Sequence, residues 1–260
     1  MHPQDANRRK RRIVPKVART ELGALASHPF RHAEFLTTAA DWSQLPSDGV
    51  PEVAFAGRSN AGKSSAINAL AHHTRLAFVS KTPGRTQHIN FFRLRSGALL
   101  ADLPGYGYAK VPLEMRQYWQ QFLARYLAGR EVLAGLVLVM DARHPLTELD
   151  RRMLEWFLPT GRPLHILMTK SDKLSTEAQR RSLQGVRRTL DGDYGIYAAQ
   201  IGVQLFSAMP RSGIAQAESA IAPWLEMPAA PAMENPHPAP GQAAEAGGQP
   251  TGSKSAPVME

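Results

Sequence analysis

The 260-residue sequence contains no cysteine. That excludes disulfides, thiolate metal sites and a cysteine nucleophile, and it agrees with a reducing, cytoplasmic setting. No apolar run reaches the roughly 18–20 residues that a membrane span needs. The longest, Val132–Met140, holds Gly135 and ends at Asp141, as a buried strand would. The basic N-terminus has no apolar segment behind it, so a secretory signal is not expected. From Pro228 onward Leu, Ile, Phe, Trp and Tyr are missing, and Pro, Ala, Gly, Gln and Ser dominate. Such a stretch cannot bury enough apolar surface to offset its chain entropy, so residues 228–260 are expected to form a disordered tail. The histidines His2, His28, His32, His72, His73 and His237 show no metal-ligand spacing, and no zinc site is expected.

What the chain does have is positive charge, +9 in all, unevenly spread. Arg8, Arg9, Lys10, Arg11, Arg12, Lys16 and Arg19 stand against Asp5 alone in the first nineteen residues. A basic arm over residues 1–20 beside a mildly basic domain over 21–227 suits a polyanionic partner: ribosomal RNA, DNA or anionic lipid. The bland alternative is a solvated arm that aids solubility.

Between the two ends, strand and helix patterns alternate. Short apolar runs at Glu52–Ala56, Ile89–Leu94, Ala98–Ala101, Leu136–Met140, Leu164–Met168 and Val203–Phe206 have the length and composition of strands. Helical spacing follows at Lys63–Ala71 and at Pro112–Leu127, where Met115, Trp119, Phe122, Leu123, Tyr126 and Leu127 share one face. Thr147 with Asp150 resembles a capping box, and Ser175 and Ser212 are candidate N-caps of two more helices. The alternation predicts an α/β domain: a mostly parallel six-stranded sheet with helices on both faces. The runs on either side of Arg95–Gly97 form a hairpin that supplies one antiparallel edge strand.

Four segments carry chemistry because each directly follows a predicted strand. In Gly57-Arg58-Ser59-Asn60-Ala61-Gly62-Lys63-Ser64, glycines let the backbone wrap so that successive amides point at phosphates ahead of a helix N-terminus. Lys63 would reach the β- and γ-phosphates, and the Ser64 hydroxyl would ligate Mg²⁺. Asp102-Leu103-Pro104-Gly105 offers a carboxylate that can hold the metal through water and an amide for the γ-phosphate. In Thr169-Lys170-Ser171-Asp172, the carboxylate can pair with guanine N1–H and its 2-amino group, a donor pair that adenine lacks. Asp172 therefore points to GTP or GDP over ATP, with the Lys170 stem packed along the base. Phe206-Ser207-Ala208 could present amides to the guanine O6. A fifth segment, Lys81–Gln87, has the Pro83-Gly84 signature of a flexible loop. Thr82 and Thr86 both have the hydroxyl and amide to meet Mg²⁺ and the γ-phosphate, and spacing does not choose between them.

With these motifs in this order, the region over roughly residues 25–225 resembles the EngB (YihA/YsxC) family of bacterial ribosome-biogenesis GTPases. The resemblance rests on GRSNAGKSS, KTPGRTQ with INFF, DLPGYGYAK, the Asp141-Ala142-Arg143 turn before Pro145, TKSD and FSA. It implies that Thr86 is the metal-ligating threonine, and that Gly84, Arg85, Gln87 and His88 line the nucleotide beside it. It further implies GTP hydrolysis in the cytoplasm, with Lys63, Thr86 and Gly105 at the reacting phosphate. The implied partner is the large ribosomal subunit, with an association with septation and cell division. A monomer is expected. The rival reading is a nucleotide-dependent scaffold at the division site that hardly hydrolyses GTP.

Two positions bear on rate. Where Ras-type GTPases place a water-orienting glutamine after the DxxG glycine, this chain has Tyr106, so intrinsic hydrolysis is expected to be slow. Asn60 could help hold K⁺ beside the phosphates, as in some relatives that share this asparagine; hydrogen bonding within the loop is the alternative.

Overall fold

A computed structural model of the chain describes residues 29–77, 88–107 and 113–226, with side chains from residue 117 onward in the third segment. The expected basic arm, the tail, and the loop with Thr82, Gly84, Arg85, Thr86 and Gln87 lie outside the described residues.

Seven strands form one sheet: β1 (Glu34–Ala39), β2 (Glu52–Gly57), β3 (Ile89–Arg93), β4 (Leu99–Asp102), β5 (Leu133–Asp141), β6 (Leu164–Thr169) and β7 (Ile201–Leu205). Their order is β1-β3-β4-β2-β5-β6-β7. The expected hairpin is present as β3 and β4, and β4, β2, β5, β6 and β7 run parallel. The sheet corrects the expected count of six. β1 adds itself antiparallel to β3, so the one strand that opposes the rest lies second from the edge.

Five α-helices are described: α1 (Lys63–Leu70), α2 (Leu113–Gly129), α3 (Glu148–Phe157), α4 (Thr176–Asp193) and α5 (Ile214–Ile221). β5 shows why both faces of the sheet must be covered. Leu136, Leu138 and Met140 join one core with Phe122 and Leu127 of α2, Leu154 and Phe157 of α3, and Leu190 of α4. The intervening Val137 and Val139 join a second core with Ile67 and Leu70 of α1 and Ile214 and Ile221 of α5. A near-continuous apolar run is the signature of a parallel strand buried on both sides. Burying each such side chain contributes roughly 1.5–3 kcal/mol before chain entropy is subtracted.

Local signals set the helix starts. Thr147 and Asp150 form the expected capping box on α3, and the Ser175 side chain accepts from the Ala178 amide to cap α4. Ser212 does not cap α5. Its backbone exchanges two hydrogen bonds of 3.0 Å with Ser207, and Gly213, in the left-handed region at φ 78°, turns the chain into the helix.

Candidate functional site

The parallel strands β2, β4, β5 and β6 end at one pole, and the residues that follow them meet there. In open α/β sheets this carboxyl end is where ligands bind. β2 delivers the loop Arg58–Gly62 into α1. Gly62 holds φ 100°, and a Cβ there would stand 3.3 Å from the Thr169 hydroxyl, so a side chain would be both strained and crowded. Asn60 is also in the left-handed region at φ 64°. With Lys63 and Ser64 opening α1, this is a backbone cradle of the kind that receives phosphate.

The segment after β4 lies against that cradle. The Ser59 amide donates to the Tyr106 carbonyl at 2.9 Å, and the Tyr106 amide to the Gly57 carbonyl at 3.4 Å. Gly105 packs so closely that a Cβ would come 3.2 Å from the Ser59 Cα. The Lys63 ammonium forms a buried ion pair with Asp102, with side-chain exposures of 9% and 5%. The structure thus brings together Gly57, Lys63, Asp102 and Gly105, which sequence reasoning assigned to one phosphate end. Leu103 and Pro104 are buried beneath it, with the Leu103 amide donating to the Phe55 carbonyl at 3.0 Å.

The segments expected to meet the base are held by side chains that tie loops together. The Thr169 hydroxyl donates to the Ala61 carbonyl and lies 3.0 Å from the Met140 carbonyl. The Lys170 ammonium donates to the Asn60 carbonyl at 2.6 Å and to Asp141 at 3.0 Å. Ser171 donates through its amide and its hydroxyl, at 3.3 and 3.0 Å, to the Phe206 carbonyl. The Ser207 hydroxyl donates to the Asp172 carboxylate, which holds that carboxyl below the usual carboxylate range. The two segments that sequence reasoning assigned to the base are therefore fastened to each other, with Asp172 ionised and exposed and Ala208 beside them.

Three features were not read from the sequence. Asp141 takes Arg143 at 2.9 and 2.6 Å as well as Lys170. Burial alone would raise its pKa, but these partners outweigh burial and hold the carboxyl well below the usual range. Sequence marks Asp141 as the end of an apolar strand and, by resemblance, as the start of a turn with Ala142 and Arg143; its grip on Lys170 depends on β5 and β6 lying side by side. Second, the Tyr106 hydroxyl donates to Asp150 at 2.9 Å. Burial, then the Asp150 charge, pushes the phenol well above its ordinary value, so it stays a donor. Third, His88 packs edge-on against Trp119 of α2, with ring centroids 5.9 Å apart.

Lys63, Asp102 and the Ser64 hydroxyl suit a nucleotide phosphate with Mg²⁺, because the metal would draw its ligands from hydroxyls, water and phosphate oxygens. Among the described residues no group of three or more His, Asp or Glu could hold a metal alone, and no helix is long and apolar enough to cross a membrane.

The family model described as "50S ribosome-binding GTPase" matches residues 52–170. A "Probable GTP-binding protein EngB" of Azoarcus sp. strain BH72 is 56% identical over 207 residues, covering 80% of this chain and 97% of that one. Its counterpart in Aromatoleum aromaticum is 56% identical over 209 residues, covering 80% and 95%. The fold is also that of a solved "probable GTP-binding protein engB", with a TM-score of 0.55 at 19% identity over 67% of this chain and 98% of that one.

Proposed function

The chain belongs to the EngB family of GTP-binding proteins, which makes it a GTPase, and we propose that it is a slow, Mg²⁺-dependent one whose nucleotide state is read by the large ribosomal subunit. The observation that carries the nucleotide part is the buried Lys63–Asp102 pair under the Gly62 turn, with the ionised Asp172 carboxylate at the other end of the same pole.

GTP entering here would lie with its phosphates over residues Gly57–Ser64. Lys63 would leave Asp102 for the β- and γ-phosphate oxygens. Mg²⁺, when bound, would neutralise charge on those oxygens, with Ser64 and Thr86 as its protein ligands. Asp102 would then orient a water of that ion, and the Gly105 amide would donate to the γ-phosphate. Asp172 would accept from guanine N1–H and the 2-amino group, with Lys170 laid along the base. Hydrolysis would be slow because the residue after Gly105 is a tyrosine whose hydroxyl is engaged by Asp150. A phenol held there supplies no carboxamide to orient the attacking water. Asn60 would contribute a K⁺ contact only through its side chain, since its carbonyl accepts from Lys170.

The ribosomal part draws support from the match to a family of 50S ribosome-binding GTPases and from the chain's net charge of +9. A role in normal cell division rests on family resemblance alone. The test is co-sedimentation of the full chain with separated ribosomal subunits, loaded with GDP or with a non-hydrolysable GTP analogue. Retention by the large subunit in the analogue state and release in GDP is expected. Equal retention by both subunits, or none in either state, would rule the proposal out.

A further inference from the structure

One side of α2 is unlike the outer faces of the neighbouring helices. The helix's one acidic residue, Glu114, stands with Arg116 near its start, and beyond them Gln117, Tyr118, Gln120, Gln121 and Arg125 are exposed. On α3 and α4 exposed charges are paired within the helix: Arg152 with Glu148 at 2.5 Å, and Arg180 with Glu177 at 2.9 Å. Those are ordinary solvated faces, worth little in stability. The α2 face offers cation, amide and aromatic ring.

Its rings are held in place. Tyr118 is 48% exposed, yet it stacks on Phe122 at 6.4 Å with an 8° interplanar angle, and its hydroxyl donates to the Ala40 carbonyl at 3.3 Å. Trp119 stands nearly perpendicular to Tyr118, Phe122 and His88, with centroids 5.6–5.9 Å apart. The Arg125 guanidinium lies 4.3 Å above the Trp42 ring. A planar group arriving at Tyr118 therefore meets a ring already fixed, with little side-chain entropy left to lose.

We propose that this face, centred on Tyr118, stacks an unpaired RNA nucleobase. The glutamine amides, which both donate and accept, would hydrogen-bond the base edge, and Arg125 would favour the adjoining phosphate. Unpaired bases fit this chemistry because each has a π-face to stack and edges free to bond, whereas paired bases hide both. Arg116 and Arg125 outnumber Glu114 along α2, which favours a polyanion over a basic protein segment. The inference rests on the reading that the partner contains RNA.

The test measures anisotropy of a labelled ten-nucleotide unpaired oligoribonucleotide, and of a duplex of the same length, over a range of salt. The proteins are full-length wild type, Tyr118→Ala, Tyr118→Phe and Gln121→Ala, each first shown to bind GTP normally. Wild type should prefer the unpaired strand. Tyr118→Ala should weaken that binding roughly tenfold or more while keeping the slope of affinity against salt, because stacking releases no counterions. Tyr118→Phe should stay close to wild type, and Gln121→Ala should fall between. Unchanged affinity in Tyr118→Ala, no preference for the unpaired strand, or a loss that flattens the salt slope would overturn the proposal. So would a Tyr118→Ala defect confined to a ribosomal protein. If the oligonucleotide results hold but large subunits are not retained, it is the ribosomal reading that fails.

Discussion

Strand β2 begins at one buried ion pair and leads to another. At its start the Glu52 carboxylate, fully buried, accepts from the Arg130 guanidinium and, at 3.0 Å, from the Tyr126 hydroxyl. Past its end the Lys63 ammonium is paired with Asp102. By burial the two pairs are alike, with side-chain exposures of 14% and 0% for Arg130 and Glu52, against 9% and 5% for Lys63 and Asp102. They differ in what else their atoms hold. Arg130 also donates to the Pro46 carbonyl, so its cluster ties the entry to β2 onto the end of α2 using only the chain's own groups. Among the described residues the Lys63 and Asp102 side chains pair with each other, at the carboxyl pole of the sheet, under a turn built from left-handed Asn60 and Gly62. The lesson is that burial of charge does not mark a functional site. A pair whose partners a phosphate and a metal can replace does.

That contrast can be broken by mutating each pair in turn. Lys63→Ala should produce the largest effect, a loss of GTP affinity of about a hundredfold or more. It removes a charge-assisted contact to phosphate, in addition to leaving the buried Asp102 without its counter-charge. Titration with a fluorescent GTP analogue in Mg²⁺ measures it, and near-normal affinity would dissolve the distinction. Arg130→Ala should do the opposite. It leaves Glu52 buried without a counter-charge, which costs about 3–5 kcal/mol, or a melting point lower by roughly 10 °C in a domain of this size. GTP affinity measured well below that temperature should be unchanged. If Arg130→Ala lost nucleotide as severely as Lys63→Ala, the two ends of β2 would not be separable. The smallest effect is expected from Tyr106→Phe, which removes one neutral donor from a carboxylate still bonded by Thr147. Stability should fall by about 1 kcal/mol, seen as a small shift in urea midpoint, and single-turnover hydrolysis should stay slow. A large rise in hydrolysis would mean that the Tyr106–Asp150 bond restrains the chemistry.

Six of the strands, and the gathering of the glycine-rich loop and Asp172 at one pole of the sheet, were legible in the sequence, because each lies in a short run whose meaning is local. β1 escaped because Glu34–Ala39 shows no clean alternation, and its register shifts between Phe35 and Thr37. Ser212 looked like a cap because serine is a good one, but its backbone was already committed to Ser207. Asp141 and Asp150 show the wider limit. The capping box of Asp150 is a matter of three residues and was readable; its bond to Tyr106 joins α3 to the segment after β4 and exists only once the sheet has formed.

We propose that one pole of the sheet binds guanine nucleotide, with Asp172 reading the base. The most direct test displaces labelled GDP from wild type and from Asp172→Asn, using GTP, ATP and xanthosine triphosphate as competitors. Wild type should yield to GTP alone, and the variant should lose GTP and gain the xanthine nucleotide, whose C2 carbonyl accepts from the new amide. Displacement of GDP from wild type by ATP, or a variant that keeps its guanine preference, would contradict the claim.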